Sequence, residues 1–232
     1  MLFDLDGTLV HHVNPRVLQM LEMLDDCSHR AGRLVARFRL ARRAAGKPEK
    51  TPKLFVHKAI HKVRRKSVEQ MLVPCGTMRN VLERLRSEGV TLGVVSNGLG
   101  RGYGHDVLEA FGLSRYFSTA VFREDVSRGK PWPDSICAAL SGIGRELRRN
   151  DVIWYVGDQR KDITAAIAAS TKVGRPIRPI ALGARAALGA VEARLSPSQI
   201  MWTPGDFERA VRSVFDEDLR HWLIDPLPAP LL

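Results

Sequence analysis

The chain has 232 residues, of which 44% are hydrophobic and 26% charged, with a formal net charge of +11. That size suits one large domain or a core with a smaller inserted one, and the balance belongs to a globular protein rather than a disordered or fibrous one. No apolar run approaches the roughly 20 residues that a bilayer-spanning helix needs. No basic segment followed by an apolar stretch opens the sequence, and Cys27, Cys75 and Cys137 are too few and too scattered for a disulfide framework or a paired metal site. A cytoplasmic protein with reduced thiols is expected.

The first element is a short apolar strand, Leu2-Phe3-Asp4-Leu5, that runs into Asp6-Gly7-Thr8. Side chains two apart on a strand point to the same side. Asp4 and Asp6 are therefore expected to face together the crevice at the carboxyl end of an open α/β sheet, where ligands bind. A basic block follows. Between His12 and Val73 stand 15 Lys/Arg against 5 Asp/Glu, whereas the rest of the chain carries 21 against 20. The block reads as helical throughout. Asn14-Pro15 is a capping side chain followed by a first-turn proline. Val17, Leu18, Leu21 and Leu24 then recur at helical spacing. A second stripe of Ala31, Leu34, Phe38, Ala41 and Ala45 is stopped by Gly46-Lys47-Pro48, and a third helix is expected from Leu54 to Leu72.

After Pro74 helices and strands alternate. Helix 76–88 leads to strand 91–96, and a helix near 104–111 leads to a strand near 118–122. A helix from Pro133 precedes strand 152–156, and helix 161–170 precedes a strand near 178–182. Helix 185–194, a short strand around 200–202 and helix 205–215 complete the series. Alternation of this kind with continuously apolar strands predicts an α/β fold, a parallel sheet covered by helices on both faces. The expected organisation is a core over 1–11 and 74–225, a small all-helical cap inserted at 12–73, and a proline-rich, flexible tail at 226–232.

Four segments carry the chemistry: Asp4-Leu5-Asp6-Gly7-Thr8, Val94-Val95-Ser96-Asn97-Gly98, Gly129-Lys130-Pro131, and Gly157-Asp158-Gln159-Arg160-Lys161-Asp162. In this order they resemble the haloacid dehalogenase superfamily, and within it the phosphoglycolate phosphatase-like subgroup, whose helical cap is inserted after the first motif. The resemblance spans most of the chain. It implies a Rossmann-like core and a Mg²⁺-dependent hydrolase of phosphate monoesters. Such chemistry needs a nucleophile, a proton donor for the leaving group, and positive charge to bring a phosphate dianion beside a carboxylate.

By that resemblance Asp4 is the nucleophile, forming an aspartyl-phosphate, and Asp6 is the general acid and then the base for water. Ser96, through its hydroxyl, and Asn97, through its backbone, bind a phosphoryl oxygen, and Lys130 neutralises both nucleophile and phosphate. Asp4, Asp158 and the backbone carbonyl of Asp6 are the implied Mg²⁺ ligands, with Asp162 acting through water or by orienting Lys130. Hard oxygen donors suit Mg²⁺, which keeps several waters and takes one or two carboxylates. The same residues would serve a sugar-phosphate mutase, which shields its phosphorylated aspartate from water. A non-catalytic binding module would retain the fold without needing the intact acids, serine and lysine.

Other features carry less. His57 and His61 are one helical turn apart but have no third ligand in sight, so they read as part of a solvated basic face. Gly98-Leu99-Gly100-Arg101-Gly102-Tyr103-Gly104 lacks the spacing of a nucleotide-binding loop. It is read as a flexible loop, with Arg101 and Tyr103 as substrate-contact candidates. Trp132 follows Lys130 too closely to lie far from the site. A phosphorylated small molecule is the expected partner. The basic block admits a nucleotide or nucleic-acid end as well, although arginine-rich helices have ordinary reasons to face water.

Overall fold

The computed structural model of the protein describes residues 1–13, 68–98, 101–144, 146–148 and 151–215. The first two helical stripes of the basic block, the His57–His61 pair and the tail at 226–232 lie outside the described residues.

Six strands form one sheet. Its order is β5 (Thr119–Val121), β4 (Gly93–Val95), β1 (Leu2–Asp4), β6 (Ile153–Gly157), β7 (Ile177–Leu182) and β8 (Ile200–Met201). Each strand runs parallel to its neighbours. Leu2, Phe3, Val94, Val95 and Ile153 to Val156 are all buried, as strands covered on both faces must be. Alternate side chains then sort between two helical layers. Phe3, Leu5, Val94 and Val156 pack with residues of α2 (Gly76–Ser87), α3 (Arg101–Ala110) and α7 (Pro204–Phe215). Leu2, Val95 and Tyr155 pack with α4 (Asp134–Ser141) and α5 (Arg160–Val173). Ala186 and Ala190 of α6 (Ala184–Glu192) meet Ile163 of α5 and Ala181 of β7. The rings of Phe3 and Phe207 meet edge-on at 6.1 Å, contributing about 0.5–1.5 kcal/mol beyond their burial.

The strand order fixes where a site can form. From β1 the chain passes to β4 and β5 on one side, then crosses to β6, β7 and β8 on the other. The direction of winding reverses beside β1, and helices diverge there to leave a crevice at the carboxyl ends of the strands.

A second, two-stranded antiparallel ribbon joins β2 (Val10–His12) to β3 (Leu72–Pro74). It corrects the sequence reading at one point. The helix expected to run to Leu72 ends, as α1 (Val68–Met71), at Met71, and Leu72 begins a strand. Pro74 disfavours helical backbone at the residue before it. Leu72 is 1% exposed and Val73 is 51% exposed, the alternation of a strand with one face on the core. His12 and Val73, the ends of the expected cap, thus lie in this ribbon; the boundaries of an inserted unit are not otherwise described.

The glycine-rich stretch also differs from expectation. Arg101 to Gly104 form the first turn of α3 rather than a loop. A Cβ at position 104 would overlap the Phe122 ring, so this glycine serves close packing and not flexibility.

Candidate active site

Three of the four motifs end a strand at the crevice, and the third in chain order reaches it from the segment after β5. Asp4 closes β1, Ser96 follows β4, Lys130 lies beyond β5, and Asp158 follows β6. Asp4, Ser96, Lys130 and Asp162 are all buried. Gly7, at φ +86°, turns the chain after Asp6, and a Cβ there would overlap the Asp158 carboxylate. The first motif therefore needs glycine twice over, for its backbone angle and for the approach of the fourth motif.

Lys130 is the hub. Its Nζ donates to Asp4 Oδ1, lies 2.7 Å from Asp162 Oδ1 and donates to the Tyr155 hydroxyl at 3.0 Å. The Tyr155 hydroxyl in turn donates to Asp162 Oδ1 at 3.1 Å. The backbone of Lys130 is held as firmly. Its N–H donates to Asn97 Oδ1 at 3.0 Å, and Asn97 Nδ2 donates back to its carbonyl at 2.9 Å. A Cβ at Gly129 would strike the Asn97 amide at 2.7 Å, which explains the glycine before the lysine. The Asn97 side chain thus steadies the lysine loop.

Asp162 serves two groups at once. Its Oδ2 accepts the Gln159 N–H at 3.0 Å, capping α5, and its Oδ1 receives Lys130 and Tyr155. Asp162 thus stands in the first turn of α5 and against Lys130 at the same time. Asp158 accepts from Gln159 Nε2 at 2.7 Å through Oδ2, while its Oδ1 is buried with no partner among the described residues.

The charges do not balance among these side chains. Asp4, Asp158 and Asp162 each offer an oxygen, all within 4.8 Å of one another, around the single ammonium of Lys130. Burial pushes the Asp4 carboxyl well above the usual carboxylate range; Lys130 opposes this, while Asp162 and Asp158 reinforce it. Burial and the charge of Asp162 push Asp158 up to about 6. Burial would also lower Lys130, but Asp162 and Asp4 outweigh it, and the ammonium is held well above its ordinary value. Lys130 therefore stays charged, and the cost of crowding falls on the carboxylates. A cation seated beside Asp4 and the unpartnered oxygen of Asp158 would relieve that cost, so the donor set fits a hard divalent ion.

Two contacts went unread in the sequence. Tyr155 sits in a fully buried strand, and a buried phenol there calls for a polar partner; that signal could have found it. His12 Nε2 lies 3.0 Å from Asp6 Oδ1. Its position inside the basic block hid it. Arg101 is engaged with Asp125 through Nε at 2.7 Å, and Tyr103 is buried with its hydroxyl 3.9 Å from Met71 Sδ. Trp132 is 45% exposed beneath the Arg128 guanidinium, 4.8 Å from its ring centre.

The fold and this constellation define a class, and comparison with known proteins supplies the family. The model of haloacid dehalogenase-like hydrolases matches residues 1–175, and the chain belongs to that family. Among curated relatives, pyrophosphatase PpaX of Oceanobacillus iheyensis is 33% identical over 102 residues, 40% of this chain and 46% of its own. Phosphoglycolate phosphatase of Escherichia coli is 33% identical over 90 residues, 39% of this chain and 34% of its own. The matches thus span less than half the length of these relatives. Among solved structures, a HAD family hydrolase from Deinococcus radiodurans with bound phosphate and sodium superposes with a TM-score of 0.58 at 18% identity, covering 92% of this chain and 95% of that one. A HAD-superfamily hydrolase from Ehrlichia chaffeensis gives 0.57 at 17%, covering 93% and 96%. At such identity the likeness concerns the fold.

Proposed function

We propose that the protein is a Mg²⁺-dependent phosphatase that hydrolyses a phosphate monoester through a phosphorylated Asp4. The observation that carries this reading is the Lys130 ammonium fixed between Asp4 and Asp162, with Asp158 completing a carboxylate cluster at the switch point of the sheet. A lone carboxylate would repel a phosphate dianion. Lys130 removes that repulsion on one side of Asp4, and its fixed geometry means that little reorganisation is needed as charge develops. Mg²⁺, held by Asp4, Asp158 and the backbone carbonyl of Asp6, would neutralise phosphate charge beside the nucleophile.

Asp4 then attacks phosphorus, and the P–O bond to the leaving group breaks as Asp6 gives that oxygen its proton. Water deprotonated by Asp6 next attacks phosphorus, releasing inorganic phosphate and restoring the Asp4 carboxylate. Splitting one displacement in two is the gain of covalent catalysis. Ser96, buried at the end of β4, and the backbone of Asn97 bind phosphoryl oxygens on the side away from the acids. The names of the curated relatives, a pyrophosphatase and a phosphoglycolate phosphatase, agree with phosphate ester or anhydride chemistry. We place the protein in the cytoplasm, in keeping with the free thiols of Cys75 and Cys137; no helix among the described residues is long and apolar enough to cross a membrane.

The test is release of inorganic phosphate from p-nitrophenyl phosphate and from a panel of phosphorylated metabolites, with and without Mg²⁺. Metal-dependent release is expected, and Asp4→Asn should reduce it to the limit of detection. Turnover by Asp4→Asn near that of the unmodified protein excludes the covalent route. Phosphate moved within a sugar without release would make the protein a mutase.

A further inference from the structure

We infer that His12 is a positioning residue for Asp6, holding one carboxylate oxygen so that the other is presented to the site. The inference rests on the reading of Asp6 as general acid. Asp6 follows β1 in a turn closed by the Gly7 N–H on the Val10 carbonyl at 2.8 Å. The Asp6 side chain needs a partner to fix its rotation. His12 supplies one. Its Nε2 lies 3.0 Å from Asp6 Oδ1, and the two side chains keep only 7% and 12% of their exposure. Asp6 Oδ2 is buried and has no hydrogen-bonding partner among the described residues. The carboxylate is therefore asymmetric, with one oxygen engaged and one left for a reacting proton.

His12 is itself held. It lies in β2 opposite Leu72, and the next residue, Val13, donates its N–H to the Met71 carbonyl at 3.0 Å. The backbone that carries the ring is thereby fixed by the β2–β3 ribbon, an element distinct from the strand that carries Asp4. A proton on Nε2 makes the contact a donated hydrogen bond to a carboxylate, stronger than one between neutral groups. Proton transfer demands placement within a fraction of an ångström, and displacement by about 1 Å can cost roughly a hundredfold in rate. A histidine that merely tied the ribbon to the turn would affect folding and all substrates alike. A positioning residue affects only steps in which Asp6 moves a proton.

The leaving group separates the two. Glycerol phosphate expels an alkoxide that needs a proton, whereas p-nitrophenyl phosphate expels a stable phenolate that needs little help. The kcat/KM of each reports transfer to Asp4 and not the later hydrolysis. His12→Phe keeps the ring's bulk but removes the donor, and it should lower kcat/KM for glycerol phosphate by about 10- to 100-fold. The loss for p-nitrophenyl phosphate should be smaller than about 3-fold, and His12→Gln, which can donate from a similar place, should recover most of the difference. In the metal-free protein, the His12 ring nitrogen signals should shift on Asp6→Asn substitution, an NMR readout independent of turnover. Equal losses on both substrates, or no loss on glycerol phosphate, overturn the positioning role while Asp6→Asn still discriminates between them. If Asp6→Asn itself does not discriminate, the acid reading falls and the positioning role falls with it.

Discussion

The two sides of the crevice are built from different chemistry. The β1 and β6 side carries Asp4, Asp158 and Asp162, three acids within 4.8 Å, while the β4 and β5 side supplies Ser96, Asn97 and the backbone of Lys130. The Lys130 side chain crosses between them, anchored by Asn97 at its root and by Asp4, Asp162 and Tyr155 at its tip. On the proposed reading one side would hold the cation and the other the phosphoryl group, and the lysine would keep the acids from repelling what the other side binds.

Cutting that tie should have the largest effect on stability. Asp162→Ala removes a fully buried partner of Lys130 and the acceptor of the Gln159 N–H. Breaking one half of a buried ion pair costs about 3–5 kcal/mol, to be read from denaturant unfolding. Asn97→Ala, which removes only neutral hydrogen bonds to the Lys130 backbone, should cost about 1–3 kcal/mol. Equal costs would mean that the lysine's root and not its tip holds the two sides together.

Asp158→Ala probes the acidic side by itself. It removes a partly buried carboxylate whose hydrogen-bond partner is Gln159, so the fold should persist while the Mg²⁺ concentration for half-maximal activity rises at least about 10-fold. Asp162→Ala should disturb metal requirement less than it disturbs stability. The reverse pattern in a metal titration would exchange the roles given to the two acids.

Crowding on the acidic side also predicts how pH acts. Asp158 ionises in the folded protein at about 6, above its ordinary 3.8, and Asp4 is raised in the same direction. The folded state then binds more protons than the unfolded chain between these values. The stability from these groups is therefore present at low pH and lost as pH rises through about 6. Mg²⁺ should reverse that loss, since it binds the ionised carboxylates. The rise in Tm on adding Mg²⁺ should be small at pH 5 and several-fold larger at pH 7. A shift that does not grow with pH would mean that these acids are not the ones that meet the metal.

Much of this was legible because Asp4, Ser96 and Asp158 sit where a strand turns, and apolar runs and turn residues mark such places locally. The strands at Gly93–Val95 and Ile153–Gly157, with Ser96 after the first and Asp158 after the second, follow from that pattern. What stayed hidden depends on distant pairing. Lys130 meets Asp4 across 126 positions, and Leu72 pairs with His12 in a ribbon whose strands hold three residues each. A run that short after a helical stripe reads as more helix. His12 likewise counted as one more polar residue at the head of a basic block until its ring was placed on Asp6.

The smallest effect concerns that block. Its 15 Lys/Arg against 5 Asp/Glu contrast with the near-neutral remainder, and a small phosphate monoester already has Lys130 beside Asp4. If the charge served to draw in a larger polyanion, kcat/KM for a nucleotide would fall steeply with salt, and charge reversal at Arg64, Arg65 and Lys66 would flatten the slope. If it only keeps helices soluble, mono- and polyanionic substrates should decline together. The second outcome is expected. Screening acts within about 8–10 Å at ordinary ionic strength, so charges spread along an arginine-rich block act mainly on what touches them. A steep slope for the nucleotide alone would make the block part of substrate recognition and extend the cationic side of the comparison beyond Lys130.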